Sequence, residues 1–196
     1  MKKRSLLDLR PCQFVLGMKE VENKIQKMEL MNKAELAKYA RDHVIPVVKG
    51  PAGELYVIDH HHYARACWEL GYDEAIVEPI ADLSGLPNAT FWNEMVQRGW
   101  VYLHDQFGLG PHSPSALPAD IRCLADDPYR SLAWTVIDEG GIKKVKIPFF
   151  EFQWAAFFRL NLDLCLHSKS DFKLARRKAL KLARSKAAKR LPGFVG

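Results

Sequence analysis

Residues 56–66 read YVIDHHHYARA and join an apolar strand pattern to an alanine-bearing helix pattern through one acid and three histidines. Three of the seven histidines of the chain lie in this stretch. The first backbone N–H groups of a helix have no partner within the helix, so they stabilise an anion such as a phosphate. Histidine side chains at this place can donate to a phosphate, transfer protons near neutral pH or bind a metal. We therefore expect the chemistry of the chain at residues 59–65.

Helical geometry favours a phosphate over a metal at this stretch. Adjacent side chains on a helix point about 100° apart, so His60, His61 and His62 cannot all bind one ion. One histidine with Asp59 or a glutamate could still hold a metal. Asp59 is also predicted as the N-cap of the helix. The alternative for the whole run is a solvated helix start without a function.

The residues before this stretch predict a hairpin. Residues 44–48 and 54–58 have strand composition and flank a turn that contains Gly50 and Gly53. Pro46 indicates either that its strand lies at a sheet edge or that its missing N–H is not needed for pairing. The other patterns of this half predict a strand at 9–16, helices at 18–31 and 33–41 with Asn32 as a cap, a helix from Asp59 to about Leu70, and a strand at 75–81.

Beyond Leu83 the patterns are helical. They predict helices at 88–98, 127–139, 149–166 and 168–191, with a proline-rich loop at 108–118. Asp127 and Pro128 suit the start of the second of these, and the aromatic residues of the third are expected in the core. The sequence thus predicts an α+β fold, with a mixed-sheet domain at 1–85 and a helical subdomain at 86–196.

Composition places few limits on function. With 196 residues and 48% hydrophobic content, the chain can bury a full core. The four cysteines are far apart and form no C-x-x-C pair, which favours a reducing, cytoplasmic setting. Asp8 and Arg10 interrupt any signal peptide, and no segment reaches the roughly 18 apolar residues of a membrane span.

The net charge of +6 is concentrated at the C-terminal end. Residues 168–196 carry ten Lys and Arg residues and one acid, Asp171, whereas the rest of the chain has a net charge of −3. Such a density of cations suggests contact with DNA, the alternative being a solvated helix face. The candidate DNA-binding residues are Lys173, Arg176, Arg177, Lys181 and Arg184.

The order of these motifs resembles the N-terminal domain of the ParB/sulfiredoxin superfamily, and more closely its branch of ParB-like nucleases, in which the segment reads I-D-H-H-H. The resemblance covers roughly residues 7–83, through the first strand and helix, the hairpin, Ile58-Asp59-His60-His61-His62, Gly71 and the strand that follows. It implies a nucleotide-binding site at the start of the helix after the hairpin. Relatives include CTP-hydrolysing DNA clamps, ATP-dependent sulfinic-acid reductases, kinases of free serine and nucleases, so the fold does not select among these functions.

The D-G-H-H-R box of the superfamily falls on residues 59–63 with two departures. His60 replaces the glycine that lets the backbone approach a phosphate, and Tyr63 replaces an arginine. Arg65 matches a second arginine of the ParB form of the box and could supply the missing charge.

The kinase-like relatives use a glutamate after the first strand as a base. Glu20 and Glu22 lie at that place, and Lys24 could neutralise a phosphate. Charged residues on a helix face are also common without any function.

The leading hypothesis is an enzyme of phosphoryl chemistry, an NTPase or small-molecule kinase, that binds ATP, ADP or CTP, with Mg²⁺ as a possible companion. In it, His60, His61, His62, Arg65 and Lys24 hold the phosphates, Asp59 orients a histidine or a magnesium-bound water, and His61 and His62 also serve as catalytic groups. Glu22, with Glu20 as the second choice, activates the attacking hydroxyl or water. One alternative is a metal-dependent nuclease that acts on DNA. The other is a nucleotide-gated DNA-binding protein without catalysis, although the chain shows no helix-turn-helix pattern.

Overall fold

The computed structural model describes residues 2–162 and 168–196, which form short strands and seven α-helices. The strands are β1 (Lys2–Ser5), β2 (Leu9–Pro11), β3 (Val15–Leu16), β4 (Ile45–Lys49), β5 (Leu55–Val57), β6 (Glu74–Asp82) and β7 (Ala125–Asp126). The helices are α1 (Met18–Glu29), α2 (Lys33–Asp42), α3 (His61–Glu69), α4 (Asn88–Gln97), α5 (Pro128–Asp138), α6 (Phe150–Asn161) and α7 (Lys169–Ala183). The part of the predicted third C-terminal helix that covers residues 163–166 lies outside the described residues.

Five strands form one mixed sheet in the order β1-β6-β4-β5-β2. The predicted hairpin is confirmed, because β4 and β5 pair antiparallel with Val47 opposite Val57. β2 runs parallel to β5, β6 runs parallel to β4, and β1 is antiparallel to β6. The mixed sheet with its helices confirms the predicted α+β class.

Pro46 shows how a proline fits inside this sheet. β4 is not an edge strand, so the first of the two expectations for Pro46 is wrong. The second holds, because Pro46 contributes only its carbonyl, which accepts the Ile58 N–H at 3.2 Å.

The single strand predicted at residues 9–16 is wrong. It divides into β2 and β3, because the Cys12 carbonyl accepts the Tyr102 N–H and Gln13 forms an isolated bridge with Tyr102. β3 then pairs with β7, where Ala125 donates to the Phe14 carbonyl. The charged strand β1 was not expected, since its residues lack an apolar alternation.

Residue contacts divide the described chain into two compact units. The first contains residues 2–16 and Val21–Ala125, and the second contains Gly17–Glu20 with the described residues from Asp126 onward. The units divide at Ala125 rather than at residue 85, because α4 contributes Phe91 and Met95 to the core that also holds Tyr56 of β5. The assignment of separate domains at 1–85 and 86–196 stays a prediction.

The second unit has its own core. The buried face of α7 consists of alanines and packs with the apolar side chains of α5 and α6, among them Trp154, Phe150 and Phe158, as expected. The predicted helix starts are confirmed where Asn32 forms a capping box with Glu35 and where Asp127 accepts the Tyr129 N–H. Within the described residues, no helix combines the length and the apolar character needed to span a bilayer.

Candidate functional site

The candidate site is built on β5, which lies inside the sheet and ends directly before α3. β4 pairs with one side of β5 and β2 with the other, and the side chain of Val57 is completely buried. Residues 58–60 then join the strand to the helix. Because both neighbours of β5 are paired to it, the backbone that leads into α3 is held in one place.

His60 occupies the turn between β5 and α3 in the left-handed conformation, with φ 63° and ψ 23°. A β-carbon is crowded there, so glycine is favoured, which accounts for the glycine that the resemblance implies at this position. The N–H of His60 donates to Oδ1 of Asp59 at 2.6 Å. His60 is the N-cap residue of α3, so the prediction that Asp59 is the N-cap is wrong. The carboxylate of Asp59 instead accepts a hydrogen bond in the turn that precedes the helix.

The start of α3 has no side-chain cap, and anion binding there stays a prediction. The side chain of His60 makes no capping hydrogen bond, and the first helical bond runs from the Ala64 N–H to the His60 carbonyl at 2.9 Å. The amides of the first turn are therefore not covered by a side chain of the N-cap residue. They form the positive end of the helix dipole.

His61 is a buried residue with hydrogen bonds to backbone. Its side chain is 4% exposed, and its Nε2 accepts the Cys12 N–H at 3.3 Å. Burial, and then the charge of His62, lower the pKa of His61 to about 3, while a hydrogen bond to the Val57 backbone opposes this shift. The ring is therefore neutral at pH 7 and joins the residue after β2 to β5 and α3.

His62 and Arg65 lie on the same helix in different surroundings. His62 is 9% exposed, so it is nearly as buried as His61. Nε of Arg65 donates to Glu69 at 2.6 Å, and Nη1 donates to the carbonyls of Ile121 and Arg122 at 3.3 Å. Arg65 thus fastens α3 to the 3₁₀ turn at Ile121–Cys123. A role of Arg65 in phosphate binding stays a prediction.

A second histidine lies beside His60, and sequence reasoning missed it. His43, the C-cap residue of α2, has its ring centroid 5.9 Å from that of His60. Tyr39 stacks on His43 at 3.8 Å, and the ring of Tyr63 lies 5.5 Å away. We call these four side chains the His43 cluster. No motif marks His43, which lies far from residues 59–63 in the sequence; only the packing of α2 beside α3 brings it there.

The hydrogen bonds of the His43 cluster assign its protons. Nδ1 of His43 lies 2.9 Å from the Tyr39 carbonyl, and because a carbonyl can only accept, Nδ1 carries the hydrogen and Nε2 is left to accept a proton. Burial lowers the pKa of His43, and the charges of Lys24 and His60 lower it further. Nδ1 of His60 is buried and has no hydrogen-bond partner among the described residues.

The residues predicted on α1 do not all join this cluster. The charge of Lys24 contributes to the lowered pKa of His43, after the larger effect of burial. Glu22 lies on the exposed side of α1. Glu20 belongs to the second contact unit, where Arg130 donates to it at 3.2 Å and also pairs with Glu151. The carboxylate of Glu20 is thus engaged in an ion pair.

The described side chains offer little to a metal ion. Among residues 2–162 and 168–196, no group of three or more His, Cys, Asp or Glu side chains is arranged to hold one. Mg²⁺ can be bound through one carboxylate together with phosphate oxygens of a substrate. Asp59 is exposed and could serve in that way, although one of its oxygens already accepts the His60 N–H. Asp59 as a metal ligand stays a prediction.

The predicted DNA-binding cations lie on the exposed face of α7 and just beyond its end. Lys173, Arg177, Lys181 and Arg184 are exposed, opposite the buried alanines of the helix. Arg176 differs from them, because its Nε lies 2.8 Å from the carboxylate of Glu139.

Comparison with known proteins identifies the family. The family model described as "Putative ParB-like nuclease" matches residues 3–160. The structure is similar to the crystal structure of protein Atu1540 from Agrobacterium tumefaciens, with a TM-score of 0.90 and 37% sequence identity. The match covers 100% of the present chain and 97% of the Atu1540 chain. No curated protein matched the sequence. The chain therefore belongs to this ParB-like nuclease family.

Proposed function

We propose that the chain is a phosphodiesterase that cleaves nucleic acid at the start of α3. The observation that carries the proposal is the pair of imidazoles, His43 and His60, whose centroids lie 5.9 Å apart beside a helix start without a side-chain cap. Two imidazoles near a phosphate can act as a base and an acid in the same reaction. The description of the family as ParB-like nuclease supports this reaction over transfer of phosphate from a nucleotide.

In this proposal, the first-turn amides of α3 and the ammonium of Lys24 bind the phosphate of the substrate. Nε2 of His43 takes a proton from a water molecule as its oxygen bonds to phosphorus. A ring nitrogen of His60 gives a proton to the leaving oxygen as the other phosphorus–oxygen bond breaks. His61 and Tyr39 are positioning residues in this proposal. His61 holds α3 against the sheet, and the backbone carbonyl of Tyr39 fixes the tautomer of His43.

The competing hypothesis is hydrolysis or transfer of phosphate from ATP, ADP or CTP, with Glu22 as the base and Mg²⁺ bound with the nucleotide. The same helix start would take the phosphates. A thermal-shift series with these nucleotides, with and without Mg²⁺, tests it, because a ligand that binds the native state raises the apparent midpoint. A nucleotide-dependent shift, together with phosphate release that Glu22→Gln abolishes, would favour it over the nuclease proposal.

Cleavage assays test the phosphodiesterase directly. End-labelled DNA and RNA oligonucleotides, single- and double-stranded, are incubated with the protein in EDTA and, separately, in Mg²⁺. We expect cleavage that falls by about 10²–10⁴-fold in His43→Gln, the size usual for loss of a general base. His104→Gln, a histidine outside the His43 cluster, is the matched control and keeps its activity. Cleavage by His43→Gln at the rate of the unmodified protein, or no cleavage of any substrate, would overturn the proposal.

We also propose that the exposed face of α7 binds the backbone of the nucleic acid. The contact would be electrostatic and independent of sequence, because lysine and arginine side chains neutralise backbone phosphates. Changing Lys173, Arg177 and Lys181 together to Gln should weaken binding and reduce the slope of log K against log salt by about 0.7–0.9 for each lost contact. The matched control changes three exposed cations of β1, Lys2, Lys3 and Arg4, to Gln. Equal losses in the two triple variants would remove α7 from the proposal.

A further inference from the structure

A polar cavity lies at the amino end of β5, away from the start of α3. Its volume is about 300 Å³, and its lining includes Arg10, Glu54, Tyr56, Asn88 and Trp92. This volume is at the lower end of the range for ligand sites, which suits one small planar group better than a whole nucleotide.

A carboxylate is held at a fixed place in this cavity. Arg10 donates to Oε1 of Glu54 at 2.7 Å, and the hydroxyl of Tyr56 donates to Oε2 at 2.7 Å. Arg10 and Tyr56 are register partners on the parallel strands β2 and β5, so the sheet itself aligns the two donors. Each carboxylate oxygen can accept a second hydrogen bond, so Glu54 keeps acceptor capacity for a ligand.

Two other lining groups have hydrogen-bonding capacity that no described residue uses. The side-chain amide of Asn88, at the first position of α4, has no hydrogen bond to the described part of the chain. The indole N–H of Trp92, one turn further on, likewise has no hydrogen-bond partner there; its ring makes contacts with Tyr56 and Phe91. The cavity thus combines an aromatic ring, an unused amide, an unused N–H and a fixed acceptor.

We infer that this cavity binds a nucleobase that carries an exocyclic amino group. The amino group would donate to Glu54, the amide of Asn88 would pair with the ring edge, and Trp92 would contact the base, as aromatic side chains do in proteins that bind single strands. A base can enter such a cavity only when it is unpaired. The inference rests on the proposed function, and it narrows the substrate to single-stranded or locally unpaired nucleic acid.

The distance along β5 allows one strand of nucleic acid to use both sites. β5 has three residues, which span about 10 Å. A strand with one phosphate at the start of α3 can therefore place a nearby base at the amino end of β5.

Free nucleosides test the cavity independently of cleavage, because they carry no phosphate that could bind at the start of α3. Calorimetric titration with cytidine and with uridine compares two ligands that differ by the amino group. We expect cytidine to bind about fivefold more tightly than uridine, the size of one hydrogen bond. Asn88→Ala should weaken cytidine binding by a similar factor. Asn93→Ala, which changes an exposed asparagine on the same helix outside the cavity, should leave it unchanged.

The outcomes separate this inference from the proposed function. Selective cytidine binding that depends on Asn88 supports the cavity even if no oligonucleotide is cleaved, in which case only the phosphodiesterase proposal fails. Equal binding of cytidine and uridine, unchanged binding in Asn88→Ala, or no nucleoside binding at millimolar concentration would overturn the cavity as a base site. Cleavage that survives in Asn88→Ala at full rate on single strands would also count against it.

Discussion

The two ends of β5 carry opposite chemistry on one rigid strand. At its carboxyl end, the ring centroid of His43 lies 5.9 Å from that of His60, the N-cap residue of α3. At its amino end, the carboxylate of Glu54 is held by Arg10 and Tyr56. We propose the phosphate site at the first end, because at the second end Arg10 is already paired and Glu54 would repel a phosphate. The two proposals therefore assign a phosphate and an uncharged base to opposite ends of the same strand.

The largest expected effect is at His60, where one substitution distinguishes the backbone conformation of the turn from the catalytic role of the side chain. His60 has a positive φ, so His60→Gly relieves a cost of about 1 kcal/mol and should leave the free energy of unfolding equal or slightly higher. The same change removes the imidazole that donates the proton, and we expect cleavage to fall by about 10²-fold or more. Denaturant unfolding and cleavage rates measure the two effects.

His60→Ala provides the comparison for that variant. It should lose the same activity, and it should be less stable than His60→Gly by about 1 kcal/mol, because alanine keeps the β-carbon at a positive φ. Full activity in His60→Gly would show that this position serves only the turn.

A second prediction concerns His61, whose hydrogen bond with Cys12 holds the carboxyl end of β5 and the start of α3 in place. Its folded pKa of about 3 lies below its ordinary value of about 6.5, so the unfolded chain binds the proton first. Its contribution to stability is complete above pH 6.5 and is lost as the pH falls toward 3, by up to about 1.4 kcal/mol per pH unit. His61→Gln, which cannot titrate, should flatten this dependence. Denaturant unfolding between pH 4 and 7 measures the slope; identical slopes in His61→Gln and in the unmodified protein would contradict the prediction.

The smallest effect is expected at the amino end. Tyr56→Phe removes one of the two donors to Glu54 and should lower the free energy of unfolding by about 1 kcal/mol. Tyr72→Phe changes a half-exposed tyrosine whose hydroxyl makes no hydrogen bond within the described residues, and should have little effect. Equal losses in thermal unfolding would show that Tyr56 does not hold the carboxylate.

Local patterns predict much of the fold around β5. The strand–turn–strand pattern before residue 59 and the helix after it both follow from the change of hydrophobic period, and the structure confirms them. The edge strand β1 could not be predicted, because its pairing with β6 is a long-range backbone contact and its side chains are charged. The break in the strand at 9–16 likewise depends on Tyr102, far along the chain.

In the candidate site too, the sequence predicts the features that depend on neighbouring residues and misses those that depend on long-range packing. The sequence locates the helix start and the glycine-like position of His60, since both depend on neighbouring residues. It gives no means to distinguish His61 from His60, because the burial of His61 and its bond to Cys12 depend on the packing of β2 beside β5. His43 was missed for the same reason: α2 brings it to His60 from a distant part of the chain.

The pH dependence of oligonucleotide cleavage tests the central claim most directly. If neutral His43 is the base, kcat/KM should rise with pH through a midpoint below about 6.5, because burial lowers the pKa of His43. This acidic limb should disappear in His43→Gln and persist in His104→Gln. An acidic limb that is unchanged in His43→Gln would contradict the role of His43 as the base.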